Sequence, residues 1–388
     1  MTKFACSLPW TGFSNEPDGR AQPCCLFKGY ITDENNKPMY VQNYNVNDIL
    51  NSKFMRDLRQ EFREGKKPIG CSTCWTDEEN GYDSKRIVYN TKINHDPIVD
   101  FNTEPEYCSE FQLIINNSCN LKCRSCTPSH STQWQAEMKA LNGDPGYSMP
   151  FRQSGDELGK LWTERFIWYK TLRRLEVVGG EPFYVKQWHT IFNELIDYGY
   201  SKKIDITLTT NCTLFYPNLV ERLANNFKSV SIGLSIDGLG SVYDYIRHPG
   251  NWNTTYKNIK KYYTFVDSLN LQFNITISWL NALQLPALHT LVKTEFPKIS
   301  IWNNIVHFPL HLPIYTIPDT MKEDIREIYS KYDWVEYKNS IDSILNFMDS
   351  KTISTDTWKE NLKIIYQTDK FRNEKLHESI PYLQKYLK

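Results

Sequence analysis

Apolar positions fall into two patterns along this chain. From about residue 100 onward, short apolar runs alternate with stretches of helical period. The runs lie at 111–115, 175–178, 204–208, 230–236, 273–277 and 299–306, with helical patterns at 127–141, 156–172, 188–198, 217–226, 254–269 and 283–292. Strand–helix alternation predicts parallel strands with right-handed crossovers. Six such units without a dinucleotide fingerprint predict an α/β fold, a partial (β/α)6 TIM-like barrel over 99–312. Functional residues should then gather at the carboxyl ends of the strands. Residues 313–388 read as a helical extension, with helices over 320–331, 340–348, 355–367 and 371–387. Ile341, Ile344, Leu345 and Met348 share one helix face, which predicts packing against the barrel.

Residues 1–98 read differently. One helix is clear: Leu50, Phe54, Leu58 and Phe62 recur every four residues, with Asn47 or Asp48 before them and Gly65 and Pro68 after. Asp18-Gly19 predicts a hairpin, placing Cys6 and Cys24 on adjacent strands or at their ends. The helix returns the chain to Cys71-Ser72-Thr73-Cys74. Cys6, Cys24, Cys71 and Cys74 thus form a four-thiol set, with Cys25 as the alternative to Cys24. Four thiols suit zinc or an iron–sulfur cluster on chemistry alone. The polar stretch 77–97 reads as a linker, with a turn at 78–81 and a short helix near 84–89.

Composition changes this picture at three points. A chain of 388 residues predicts more than one domain. Lys plus Arg equals Asp plus Glu at 45 each, so no global attraction to nucleic acid or anionic membrane is expected. No apolar run approaches a spanning helix, and the first residues carry no signal-peptide core, so a cytoplasmic protein is expected. Ten cysteines in such a chain point to metal or catalysis rather than disulfides.

Directly after the first predicted strand comes Cys119-Asn120-Leu121-Lys122-Cys123-Arg124-Ser125-Cys126. Three thiols in one tight loop suit a four-iron cluster with one iron left open. This CX3CX2C loop resembles the signature of the radical S-adenosylmethionine (SAM) enzymes, in which the open iron chelates SAM. Gly179-Gly180-Glu181-Pro182 follows the second strand and resembles the family's GGE motif at the SAM amino group. Ser235-Ile236-Asp237-Gly238 with Asp244 and Arg247 resembles the Ser-x-Asp-Gly…Asp-x-x-Arg segment of SPASM-type members. There the serine and arginine lie at the SAM carboxylate, and a guanidinium pairs with a carboxylate bidentately. Asn211, after the third strand, is a candidate for the ribose or for the turn itself. One departure is Ser125, which stands where the family usually has an aromatic residue near the adenine.

Cys6-X12-Gly19-X4-Cys24 followed by Cys71-X2-Cys74 resembles the SPASM/twitch domain, whose shorter form holds one auxiliary [4Fe–4S] cluster. Here it precedes the barrel, whereas family members generally carry it afterwards. The resemblance implies two [4Fe–4S] clusters and SAM, a flavodoxin- or ferredoxin-like electron donor, and hydrogen abstraction from a substrate C–H. The substrate class it favours is a peptide or protein modified oxidatively, with a small sugar, nucleotide or cofactor precursor as the alternative. A non-catalytic iron–sulfur carrier is the reading from another class, and a carrier has no need of the Gly179–Glu181 and Ser235–Arg247 segments. Cys25, Cys108 and Cys212 are expected to be reduced core thiols. His130, His248, His307 and His311 carry no assigned role.

Overall fold

The structure is a computed structural model that describes residues 3–79, 83–91, 99–142 and 159–387. Among these residues eight strands are present: β1 (Gly12–Asn15), β2 (Ala21–Gln22), β3 (Glu110–Leu113), β4 (Arg174–Val177), β5 (Asp205–Thr210), β6 (Ser229–Ser235), β7 (Asn270–Ile277) and β8 (Ser300–Ile305). The six predicted runs are thus β3 to β8, each displaced by no more than a few residues. Helices alternate with them, as the α/β reading requires. The chain divides into two compact units. The first comprises Met1–Ser118, Ser148–Leu208 and Arg222–Val230, and the second Cys119–Tyr147, Thr209–Glu221 and Ser231–Lys388.

In the first unit the strands stand in the order β2-β1-β3-β4-β5. The predicted hairpin is β1–β2, paired antiparallel through Ser14↔Gln22 and Asn15↔Ala21. Less expected is β1 lying parallel to β3, with Gly12↔Glu110 and Ser14↔Gln112. A Cβ on Gly12 would sit 1.6 Å from the Glu110 carbonyl oxygen, so only glycine admits that approach. Asn15 extends the pairing, since its amide donates to the Ile114 carbonyl and its oxygen accepts from Ile114 N. Alternation then sorts the faces: Phe111, Leu113, Leu175, Val177, Ile206 and Leu208 are buried.

The helix read over 50–62 is two pieces, Val46–Leu50 and Lys53–Arg63. Ser52 breaks it, because its hydroxyl accepts from Met55 N and caps the second piece. Cys71 lies at the end of a 3-10 turn and Cys74 in helix Ser72–Glu79. The short helix near 84–89 is Lys85–Thr91. The rest of the 78–81 turn and of the linker, and the start of the 156–172 helix, lie outside the described residues.

In the second unit the order is β6-β7-β8, all parallel, with Ser235↔Asn274 and Phe273↔Ile301 among the pairs. The extension supplies helices Asp319–Ser330, Lys338–Asp349 and Thr355–Arg372. Ile341, Ile344 and Met348 are buried as their spacing predicts. The helix read over 371–387 is not continuous. The preceding helix runs on to Arg372, Asn373 takes a left-handed conformation (φ 53°), and the chain restarts as Leu376–Ser379 and Pro381–Tyr386. The helix read over 127–141 begins at Thr132, because turns at 123–130 and the Ser131 hydroxyl, bonded to the Leu121 carbonyl at 2.5 Å, hold the preceding residues.

Candidate iron–sulfur and cofactor sites

Cys6, Cys24, Cys71 and Cys74 line one cavity of the first unit, together with Leu8, Leu26, Phe27, Lys85 and Arg86. The hairpin brings Cys6 and Cys24 together and the knuckle adds the other pair. Gly70 makes room: a Cβ there would lie 2.1 Å from the Phe27 ring. Arg86 ties the segments. It pairs with Glu78 at 2.6 Å, donates to the Ala5 carbonyl at 2.9 Å and stacks over Trp75. Removal from water pushes the Cys6 and Cys71 thiols up, each raised further by Cys24, and pushes Cys24 up to about 11. Iron must therefore displace protons on binding. Cys25 is exposed, 3.2 Å from Lys85 Nζ, and does not line the cavity.

Gly179 and Gly180 hold positive φ of 82° and 55°. A Cβ on Gly180 would lie 2.2 Å from the Ser118 carbonyl oxygen, and one on Gly179 2.5 Å from Ile114 Cγ2. The pair therefore lies flat on the 114–118 backbone, where no side chain fits. Glu181 follows, 1% exposed, its N–H donating to the same Ser118 carbonyl and its carboxylate accepting from Phe183 N. Pro182 is buried beside it.

In the second unit the cysteine loop is held along its backbone. Lys122 N donates to the His248 carbonyl and Arg124 N to the Ile246 carbonyl, both at 2.7 Å. Those bonds set Arg247 alongside Cys123. Trp134 Nε1 donates to the Cys123 carbonyl at 2.7 Å. Cys119 is buried, and Cys123 and Cys126 are half-buried. Burial pushes Cys126 up to about 12, and raises Cys123 against the pull of Arg247.

Arg247 is 8% exposed and pairs with Asp237 at 2.6 Å, while its Nε has no hydrogen-bond partner among the described residues. Asp237 is fixed in turn. Its other oxygen accepts from Thr276 N, and Asn281 donates to its carbonyl. Ser235 is the last residue of β6 and 9% exposed. Asn211 forms the turn: its oxygen accepts from Thr213 N and Oγ1, and its amide reaches Asn120 Oδ1 at 2.9 Å and Cys119 Sγ at 3.9 Å. Cys212 beside it is wholly buried at φ 60° and Cys108 is buried too, as expected of core thiols, whereas Cys25, expected among them, is exposed.

Sequence reasoning missed the supports. Arg86, Asn281, and the Asp369–Glu374 end of the long C-terminal helix carry no motif.

The donor sets fit the expected groups. Four thiols around one cavity are a donor set for an iron–sulfur cluster or for zinc. A free guanidinium N–H beside Cys123 suits an anionic ligand group.

Comparison with known proteins agrees. Residues 113–272 match the family model of the radical SAM superfamily. Residues 6–75 match that of SPASM, an iron–sulfur cluster-binding domain. No curated protein matches the chain. Among solved structures, native anSMEcpe with bound AdoMet aligns at 16% identity and TM-score 0.39, over 60% of this chain and 62% of that one. Streptococcus suis SuiB bound to precursor peptide SuiA aligns at 15% and 0.35, over 73% and 60%. The same SuiB bound to S-adenosylmethionine aligns at 13% and 0.39, over 79% and 66%. The chain thus spans less than two thirds of the length of the first two. Radical SAM and SPASM domains together imply [4Fe–4S] clusters and SAM as cofactors. With a three-cysteine loop beside a buried arginine and a four-thiol cavity ahead of it in sequence, the chain carries a radical SAM domain over residues 113–272 and a SPASM domain on its N-terminal side over 6–75.

Proposed function

We propose that this protein oxidatively modifies a peptide or protein substrate by radical SAM chemistry, with residues 1–98 as the auxiliary-cluster domain, 99–312 as the barrel and 313–388 as the extension. Cys119, Cys123 and Cys126 would hold a cluster that, bound and reduced, would supply the electron for reductive cleavage of SAM and so the radical chemistry for hydrogen abstraction from a substrate C–H. This chain's residues position the reactants. Arg247 pairs with the SAM carboxylate through the N–H that Asp237 leaves free, and Asp237 keeps the guanidinium charged and oriented. Ser235 adds a donor to the same carboxylate. The motif resemblance assigns Gly179, Gly180, Glu181 and Pro182 to the SAM amino group, and Asn211 shapes the turn beside Cys119. Cys6, Cys24, Cys71 and Cys74 would hold the auxiliary cluster, whose chemistry there would be that of a one-electron acceptor.

The peptide class rests on the breadth of peptide substrates among SPASM-type enzymes. The electron donor is of flavodoxin or ferredoxin type, and the compartment is the cytoplasm; among the described residues no helix is long and apolar enough to cross a membrane. The observation that carries the reading is Arg247, buried, paired on one side only and bonded into the cysteine loop through its neighbours. Anaerobic incubation with SAM and dithionite tests it. The expected product is 5′-deoxyadenosine, and its absence from iron-loaded protein overturns the proposal.

A further inference from the structure

The cysteine loop is gripped from behind by charges that no motif predicts. Arg124, between two of the thiols, is 2% exposed and pairs with Asp369 at 2.5 Å and Glu374 at 2.7 Å. Asp369 also accepts from Tyr245 OH at 2.7 Å and Leu376 N at 2.8 Å. Arg372 donates to the Lys122 carbonyl at 2.9 Å and pairs with Glu137. Its guanidinium lies 4.7 Å over the ring of Trp134, whose N–H holds the Cys123 carbonyl. Glu374 reaches His248 Nδ1 at 2.6 Å, beside Arg247.

Two features separate this from ordinary packing. Lys122, which pairs with Glu137 at 2.6 Å, joins Arg124 and Arg372 as cations against Glu137, Asp369 and Glu374. Each of these charges meets an opposite one, and the network also bonds directly to the loop backbone at the Lys122 carbonyl. Its contacts also fall on both sides of Cys123, on the Lys122 carbonyl and the Arg124 side chain, and on His248 next to Arg247. A displacement of the helix end therefore moves thiol and guanidinium together.

We infer that Asp369, Arg372 and Glu374 are positioning residues for the SAM site, so the C-terminal helix is part of that site rather than a cover for the barrel. The inference rests on the function proposed above. Its test uses full-length Asp369→Asn, Arg372→Gln and Glu374→Gln, with Arg326→Gln as a control that breaks an exposed pair to Asp349 on other helices. In cluster-free protein, alkylation by iodoacetamide is followed at each cysteine by mass spectrometry. Cys123 and Cys126 should react about tenfold faster in the first two variants, with Cys6 and Cys74 unchanged, because a buried ion loses its partner. After reconstitution, SAM affinity should fall about tenfold in the same variants while the auxiliary iron stays. Glu374→Gln keeps the shape of the half-buried partner, so it stays folded and shows a smaller change in the same direction. It and Arg372→Lys decide the matter if Asp369→Asn unfolds. Wild-type alkylation rates and SAM affinity in folded variants overturn the inference. The alkylation arm needs neither cluster nor SAM, so a wild-type protein that makes no 5′-deoxyadenosine defeats the proposed function and leaves this result to stand or fall alone.

Discussion

The two cysteine sites are built by opposite means. The four thiols of the first unit come from three separate stretches of chain and meet only because a hairpin, a helix and a 3-10 turn fold together around them. Their walls are mostly apolar, and Arg86 is the main polar tie. The three thiols of the second unit come from one loop of eight residues, so chain connectivity already brings them near. What that loop lacks is rigidity, and it takes it from backbone bonds to 246–248 and from buried ion pairs. A site assembled by tertiary packing should depend on its metal to stay folded. A site assembled locally should keep its frame and lose only its ligand.

The largest expected effect separates the two by chemistry. Replacing Cys119, Cys123 or Cys126 by Ala should abolish 5′-deoxyadenosine. Replacing Cys71 and Cys74 should leave 5′-deoxyadenosine forming without substrate product, with circular dichroism separating loss of the cluster from unfolding around it. Full product from the Cys71/Cys74 variant would make the first site structural only.

Arg247→Ala comes next. It should weaken SAM binding tenfold to a hundredfold, equivalent to about 1.5–3 kcal/mol for a hydrogen bond to a charged group. It also strands Asp237, 0% exposed, at a cost of about 3–5 kcal/mol of stability. The Arg247→Gln/Asp237→Asn double variant should recover most of the stability and none of the affinity. Equal SAM affinity by calorimetry in wild type and double variant would remove Arg247 from the site.

Gly180→Ala should cost the first unit about 1–3 kcal/mol through its left-handed conformation, and more through the clash with Ser118, measured by denaturant unfolding. Unchanged stability would mean the 114–118 backbone is free to move away.

The smallest effect sharpens the ligand set. Cys25→Ser should leave iron content unchanged, because Cys25 is exposed and outside the cavity, while Cys24→Ser should lose the auxiliary iron. The reverse result would exchange their roles.

The same contrast explains what the sequence made legible. Strands β3 to β8 were readable because alternation along a half-buried strand is strong and local. The cysteine loop was readable because its spacing is the chemistry. β1 beside β3 was not, since Gly12-Phe13-Ser14-Asn15 offers one large apolar residue and its partner lies far along the chain. The break at Asn373 was missed because a single left-handed residue leaves helical periodicity intact on both sides. Asp369 falls between the helices read over 355–367 and 371–387 and Arg372 at the start of the second, and their charged partners Arg124 and Glu137 lie more than two hundred residues earlier.

The most direct test of the account is iron and sulfide content after anaerobic reconstitution, in wild type and in two variants. The account predicts about eight irons per chain in wild type, and about four in either the Cys71→Ala/Cys74→Ala or the Cys119→Ala/Cys123→Ala/Cys126→Ala protein. About four irons in wild type, with one zinc that disappears from the Cys71/Cys74 variant, would contradict it.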